Sequence, residues 1–181
     1  MLTSWETIQL PAGVHEASSI KYWNADAANK NIYIDAGRKV RIEGEGKGKT
    51  VIKGQVDVAG QAELELVGLT VADSKYGVYI SGKGAVGKVR QCEIRGHKQS
   101  GVFVRGGGKA ELEESDIHGN GIYGMRIWNK GSASGVRKCN LWDNKIGDEV
   151  KFANGASASD STMEGNLTGD EAKKAAECQQ P

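Results

Sequence analysis

Asp116 and His118 stand two residues apart, so an extended strand puts both side chains on one face, and Arg95 holds the matching place one repeat earlier. A base beside a cation is equipment for removing a proton and steadying the enolate-like charge left behind. No motif fixes their geometry, and an ordinary solvated face is the simpler reading. The three histidines and three cysteines are scattered over different segments without the spacing of metal ligands, so neither a metal site nor a cofactor is expected.

A second set suits binding rather than chemistry. Tyr79, Phe103, Arg105, Arg126, Trp128 and Lys151 recur at matching places of successive repeats. Strand alternation turns them all outward, as one exposed aromatic and basic patch over four coils. Rings with Arg supply apolar area, stacking and forked hydrogen bonds, which serve protein interfaces and sugar or anion sites alike. The competing expectation is a sheet face covered by a terminal helix or a loop.

The elements that carry these residues are visible as ladders of apolar positions. One runs through the pairs Ile32 and Ile34, Val56 and Val58, Val78 and Ile80, Val102 and Val104, Met125 and Ile127, and Val150 and Phe152. Its second members step by 24, 22, 24, 23 and 25 residues, and Leu10, paired with Ile8, fits a further 24 before Ile34. A second ladder is Val40, Leu64, Val89, Leu112, Val136 and Ala158; a third, five residues later, is Leu69, Ile94, Ile117, Leu141 and Met163. Each period thus holds three short strands with one buried face. Repeats of this length mean a solenoid, whose coils bury their apolar side only by stacking. Without helical runs or a dense leucine pattern, the fold expected is an all-β parallel β-helix of about six to seven coils, roughly 4.8 Å apart.

Polar positions fit the same frame. Three residues after the third ladder come Ala72, His97, Asn120, Asn144 and Asn166, and the Asn residues read as a structural stack at a turn. Val67, Cys92, Ser115, Cys139 and Ser161 share one inward position, which sets Cys92 and Cys139 two rungs apart. That is about 9 to 10 Å, too far for a disulfide. Free thiols, with Cys178 also lacking a mate, favour a reducing compartment but do not assign one. Glu65, Arg90, Glu113 and Arg137, and beside them Glu63, Lys88 and Glu111, alternate in sign and help to set the register.

The ends need covers, since open strand edges invite aggregation. Thr168-Gly-Asp-Glu171 has capping-box spacing and predicts a short helix over residues 169–178. The first 25 or so residues, with Trp5, Tyr22 and Trp23, are expected to close the other end. This divides the chain into a β-helix with its closing segment, 1–166, and a capping helix and tail, 167–181.

Composition sets the outer bounds. The 181 residues suffice for one domain, and 38% apolar with 26% charged residues is ordinary for a soluble protein. No stretch suits membrane insertion, and Met1 to Trp5 lacks the start of a secretory signal. A net charge of +1 gives no general attraction to nucleic acid or anionic membranes.

PAGVHE, then RIEGEGKGKTVIKG, resemble the opening coils of the right-handed parallel β-helices of the pectin-lyase-like superfamily, in its carbohydrate-binding and sugar-hydrolase repeat type. CEIRGHKQSGVFV (92–104) and SDIHGN (115–120) resemble the repeats of β-helix F-box proteins and of bacterial periplasmic copper-pathway proteins. The likeness runs from about residue 7 to 166. It implies the fold, with lyases, epimerases, binding modules and protein-recognition scaffolds all among its members. The calcium-binding Asp cluster of pectate lyases and the Asp-Pro-His motif of alginate epimerases have no match, so no catalytic residue is carried over. The leading expectation is a non-enzymatic scaffold that presents the aromatic and basic stripe to a protein partner or within a larger assembly. The alternative is a carbohydrate-active protein, a binder, lyase or epimerase, working on acidic polysaccharide.

Overall fold

A computed structural model describes residues 4–20, 31–153, 156, 163–164 and 167–171. The first coil carries β1 (Glu6–Gln9), β2 (Gly13–Glu16) and β3 (Asn31–Ile34), and the second β4 (Lys39–Glu43), β5 (Thr50–Lys53) and β6 (Gln55–Ala59). The third holds β7 (Glu63–Val67), β8 (Thr70–Ala72) and β9 (Val78–Ser81), and the fourth β10 (Val86–Arg90), β11 (Glu93–Arg95) and β12 (Val102–Arg105). β13 (Lys109–Glu113), β14 (Asp116–His118) and β15 (Tyr123–Trp128) make the fifth, and β16 (Ser132–Arg137), β17 (Asn140–Trp142) and β18 (Gly147–Ala153) the sixth. β19 (Met163–Glu164) and β20 (Leu167–Thr168) begin another.

Every third strand pairs with the next in parallel, which gives three sheets of seven, seven and six strands. This is the expected parallel β-solenoid; it makes about five turns from the first coil to the sixth, slightly fewer than the six to seven coils expected. Ile34, Val58, Ile80, Val104 and Ile127 of the third sheet are fully buried and in register, as the first ladder requires.

Four departures from the expected register share one cause. Val89 lies opposite Leu66, not Leu64, and Ile94 opposite Val71, not Leu69. By the same two-residue offset Leu69, not Val67, shares the inward corner of Cys92, and Ser74, not Ala72, takes the rung below His97. In Glu63-Leu64-Glu65-Leu66 both leucines point inward, so a slip of two residues leaves the alternation intact. The charge columns move with it: Arg41, Glu65, Lys88 and Glu111 now lie in one row, with Arg90, Glu113 and Arg137 in the next.

Two further placements differ. Ile8 sits opposite Ile42 in the first sheet, not on the ladder of Ile34, because the first coil is longer than the period. Met163 pairs with Val136 in the first sheet, and Thr168 takes the rung above Leu141. The capping helix begins at Gly169–Glu171, and its expected continuation to 178 lies outside the described residues, as do Tyr22, Trp23, Ala158, Ser161, Asn166 and Cys178. Trp5 is described, and the ammonium of Lys88 lies 5.8 Å from its ring centre.

The asparagine stack is built as expected, with a histidine completing it. Asn120 accepts the His97 N–H at 3.2 Å, Asn144 accepts the Asn120 N–H at 3.2 Å, and Asn144 donates to the Ile117 carbonyl at 3.1 Å. His97 does the same work with two ring nitrogens. Its Nδ1 accepts the Ser74 N–H at 3.3 Å, so Nε2 carries the proton and donates to the Val71 carbonyl at 3.1 Å. Burial holds His97 down at about 4, hence neutral. Glycine lies opposite this stack for a steric reason. A Cβ on Gly101 would come within 2.7 Å of Ile117 and 2.9 Å of the Asn120 amide.

Cys92 and Cys139 are buried free thiols, as their spacing requires, with Ser115 on the rung between them. Burial pushes them up to about 12 and about 11, which leaves both protonated and unreactive.

Candidate binding face

On the third sheet Asp57, Tyr79, Phe103, Arg126 and Lys151 face outward in one row, with Ala59, Ser81, Arg105, Trp128 and Ala153 in the row beside it. The register therefore brings the six expected residues together. Two tyrosines outside the expected set join them, and both precede a glycine of the stack described above: Tyr76-Gly77 and Tyr123-Gly124. That repeated Tyr-Gly pair was the signal available in the sequence.

The rings form one connected mound. Tyr76 lies 5.4 Å from Tyr79 and 5.1 Å from Phe103, Tyr79 meets Phe103 edge-on at 5.4 Å, and Trp128 lies 6.1 Å from Phe103. Phe103 is consequently only 3% exposed, which corrects its expected exposure: it points out of the sheet but is roofed by its neighbours. Tyr79, Arg126 and Trp128 are half-buried, whereas Arg105 and Lys151 are exposed.

Arg126 occupies the centre of the mound. Its guanidinium sits 4.5 Å from the centre of Trp128, 5.5 Å from Phe103 and 6.0 Å from Tyr123, within range of cation–π attraction. Its Nε is buried and makes no hydrogen bond. Arg105 donates to the Tyr79 hydroxyl at 3.3 Å. Burial among these groups raises Tyr76, against the pull of Arg126 and Arg105. At the polar end of the row, burial raises Asp57 despite hydrogen bonds from Gln55 and Asn31.

Arg95, Asp116 and His118 lie together on the second sheet, and each is engaged within the chain. Asp116 is 8% exposed and accepts from Lys47 and Asn140, both at 2.8 Å. Arg95 and His118 both reach Glu93, at 3.2 and 2.9 Å, and the His118 ring stacks on Trp142 at 4.2 Å. Glu93, which shares a row with Asp116 but stood outside the expected trio, is the centre on which Arg95 and His118 converge. Burial pushes it up, but hydrogen bonds from His118 and Thr70 and the charge of Arg95 prevail and hold it at about 2. Asp116 and the Arg95–Glu93–His118 set are thus each engaged with separate partners.

Two open grooves lie elsewhere. One, of about 210 Å³, is lined by Arg90, Glu113 and Arg137; the other, of about 400 Å³, by Lys53, Asp73 and Lys75. Among the described residues no group of three or more His, Cys, Asp or Glu is placed to hold a metal ion, and no helix is long and apolar enough to cross a membrane.

A parallel solenoid with an inward aliphatic ladder and a polar stack at its turn is a β-helix. The chain belongs to the right-handed β-helix family, whose model, described as a right handed beta helix region, matches residues 54–178. No curated protein and no solved structure matches it.

Proposed function

We propose that this protein is a non-enzymatic recognition module whose rigid β-helix presents the outer face of the third sheet to a protein partner. The observation that carries this reading is the half-buried aromatic mound of Tyr76, Tyr79, Phe103 and Trp128 around Arg126. Trp, Tyr and Arg clustered at the centre of a patch are the composition of interface hot spots. A sugar platform needs ring faces turned to solvent, whereas these rings tilt onto one another, Tyr79 and Phe103 at 76°.

The surplus of cations on the same face favours one second reading, an acidic polysaccharide as ligand. Affinity capture with the wild-type chain, a Tyr79→Ala/Trp128→Ala variant and a Lys88→Ala/Glu111→Ala control on the first sheet tests the first reading. Partners that bind wild type and control, but not the third-sheet variant, are expected; the same partners on all three would remove it. Binding to a uronate polymer in place of any protein would transfer the face to the second.

A further inference from the structure

We infer that Arg126 anchors a carboxylate carried by a short acidic segment of the partner, an inference that rests on the recognition reading above. Three guanidiniums on the other two sheets are treated differently. Arg41 reaches Glu65 at 2.9 Å, Arg90 reaches Glu65 at 3.2 Å, and Arg95 reaches Glu93 at 3.2 Å. Among the described residues no carboxylate pairs with Arg126, Arg105 or Lys151, and the row neighbour of Arg126 is Lys151, of like charge.

Geometry narrows the ligand to a carboxylate. Trp128, Phe103 and Tyr123 fix the plane of the Arg126 guanidinium, so its donors are oriented before anything binds. Its Nε is shut inside the mound, so the half-buried guanidinium offers a ligand its two Nη amino groups, whose paired N–H bonds form the fork that a carboxylate fills with two parallel hydrogen bonds. An occupant of that fork neutralises a cation that no carboxylate among the described residues pairs with. Apolar groups alone would cover the mound and bury the charge further, at a cost.

The size of the occupant follows from the coils. Arg105, Arg126 and Lys151 stand on three successive coils. Two coil steps span about 10 Å, the length of about three extended residues. A segment with two or more carboxylates beside an apolar side chain therefore meets both the cations and the rings.

The test is a random peptide library displayed on phage and selected on the full-length chain, with soluble polygalacturonate as a parallel probe. Selected peptides are expected to be rich in Asp or Glu next to apolar residues. For a synthetic copy, Arg126→Gln and replacement of the anchoring peptide Glu by Gln should each weaken binding about tenfold or more, and together no more than either alone. Arg126→Lys should rescue only part of the loss, because a point charge lacks the fork. Thermal unfolding of each variant checks that the fold is intact.

Peptides that bind through Tyr79 and Trp128 without acidic residues, or indifferently to Arg126, would overturn the anchor and leave the recognition reading standing. If no peptide is selected, both fail. Polygalacturonate that binds through Arg126, with no peptide doing so, would assign the carboxylate to a sugar and overturn the acidic protein segment.

Discussion

The turn stack of His97, Asn120 and Asn144 and the outer mound around Arg126 are both polar features wrapped in apolar surroundings, yet they are satisfied in opposite ways. The donors and acceptors of the stack meet groups one coil away, from the Ser74 N–H to the Ile117 carbonyl. Arg126 is held as tightly by rings but leaves Nε without an acceptor. A buried polar group that serves the fold must find its partner in the chain, because an unmet one costs about 1 to 3 kcal/mol. A half-buried cation that the described residues leave without a counter-charge is available to something outside.

The largest effect that separates the two is expected at Asn120. Asn120→Ala removes the acceptor of the His97 N–H and the amide donor to Asn144, and opens a gap in a fully buried stack. Urea unfolding should show a loss of about 4 kcal/mol; a loss below about 1 would mean that the stack is ornamental.

Next in size is the response to pH. His97 is lowered in the folded state to about 4, while the unfolded chain titrates near its ordinary value of about 6.5. Between those values the unfolded state binds more protons, so stability is full above about 6.5 and falls as pH drops to about 4. The loss from this residue is about 3 kcal/mol. His97→Asn, which can make the same pair of hydrogen bonds without a titrating ring, should flatten that part of the urea midpoint against pH. An unchanged slope would assign it elsewhere.

On the first sheet, Glu65 is 7% exposed and accepts from Arg41 at 2.9 Å and Arg90 at 3.2 Å. Glu65→Gln keeps the shape and removes the charge, and should cost about 1 to 2 kcal/mol by denaturant unfolding. The smallest effect is expected at the mound itself. Arg126→Leu loses cation–π contact but also the unmet donor, so stability should move by less than about 1 kcal/mol. A loss above about 2 would make Arg126 a structural residue and erase the contrast.

How far the chain could be read depended on period. From Ile32 and Ile34 to Val150 and Phe152, counting placed every pair of the first ladder correctly, because the period holds there and alternation turns both members to the core. In the third coil counting slipped by two, since Leu64 and Leu66 both fit the core and alternation cannot tell them apart. The site was legible as outward positions but not as contacts. Phe103 alternates outward like Tyr79, and only the rings that lean in from Tyr76 and Trp128 bury it. Lys47 lies far from Asp116 in the chain, and no spacing rule predicts that its ammonium reaches that carboxylate at 2.8 Å.

By itself the order of residues determined that three strips of aliphatic side chains must stack, because a coil of this length can bury them only against its neighbours, and so it also determined which residues share a face. Tertiary structure decided which polar groups on those faces are spent on one another and which are left over. Pairing depends on side-chain reach between coils some 23 residues apart, as between Cys92 and Ser115, and reach is a property of packed distances rather than of sequence spacing.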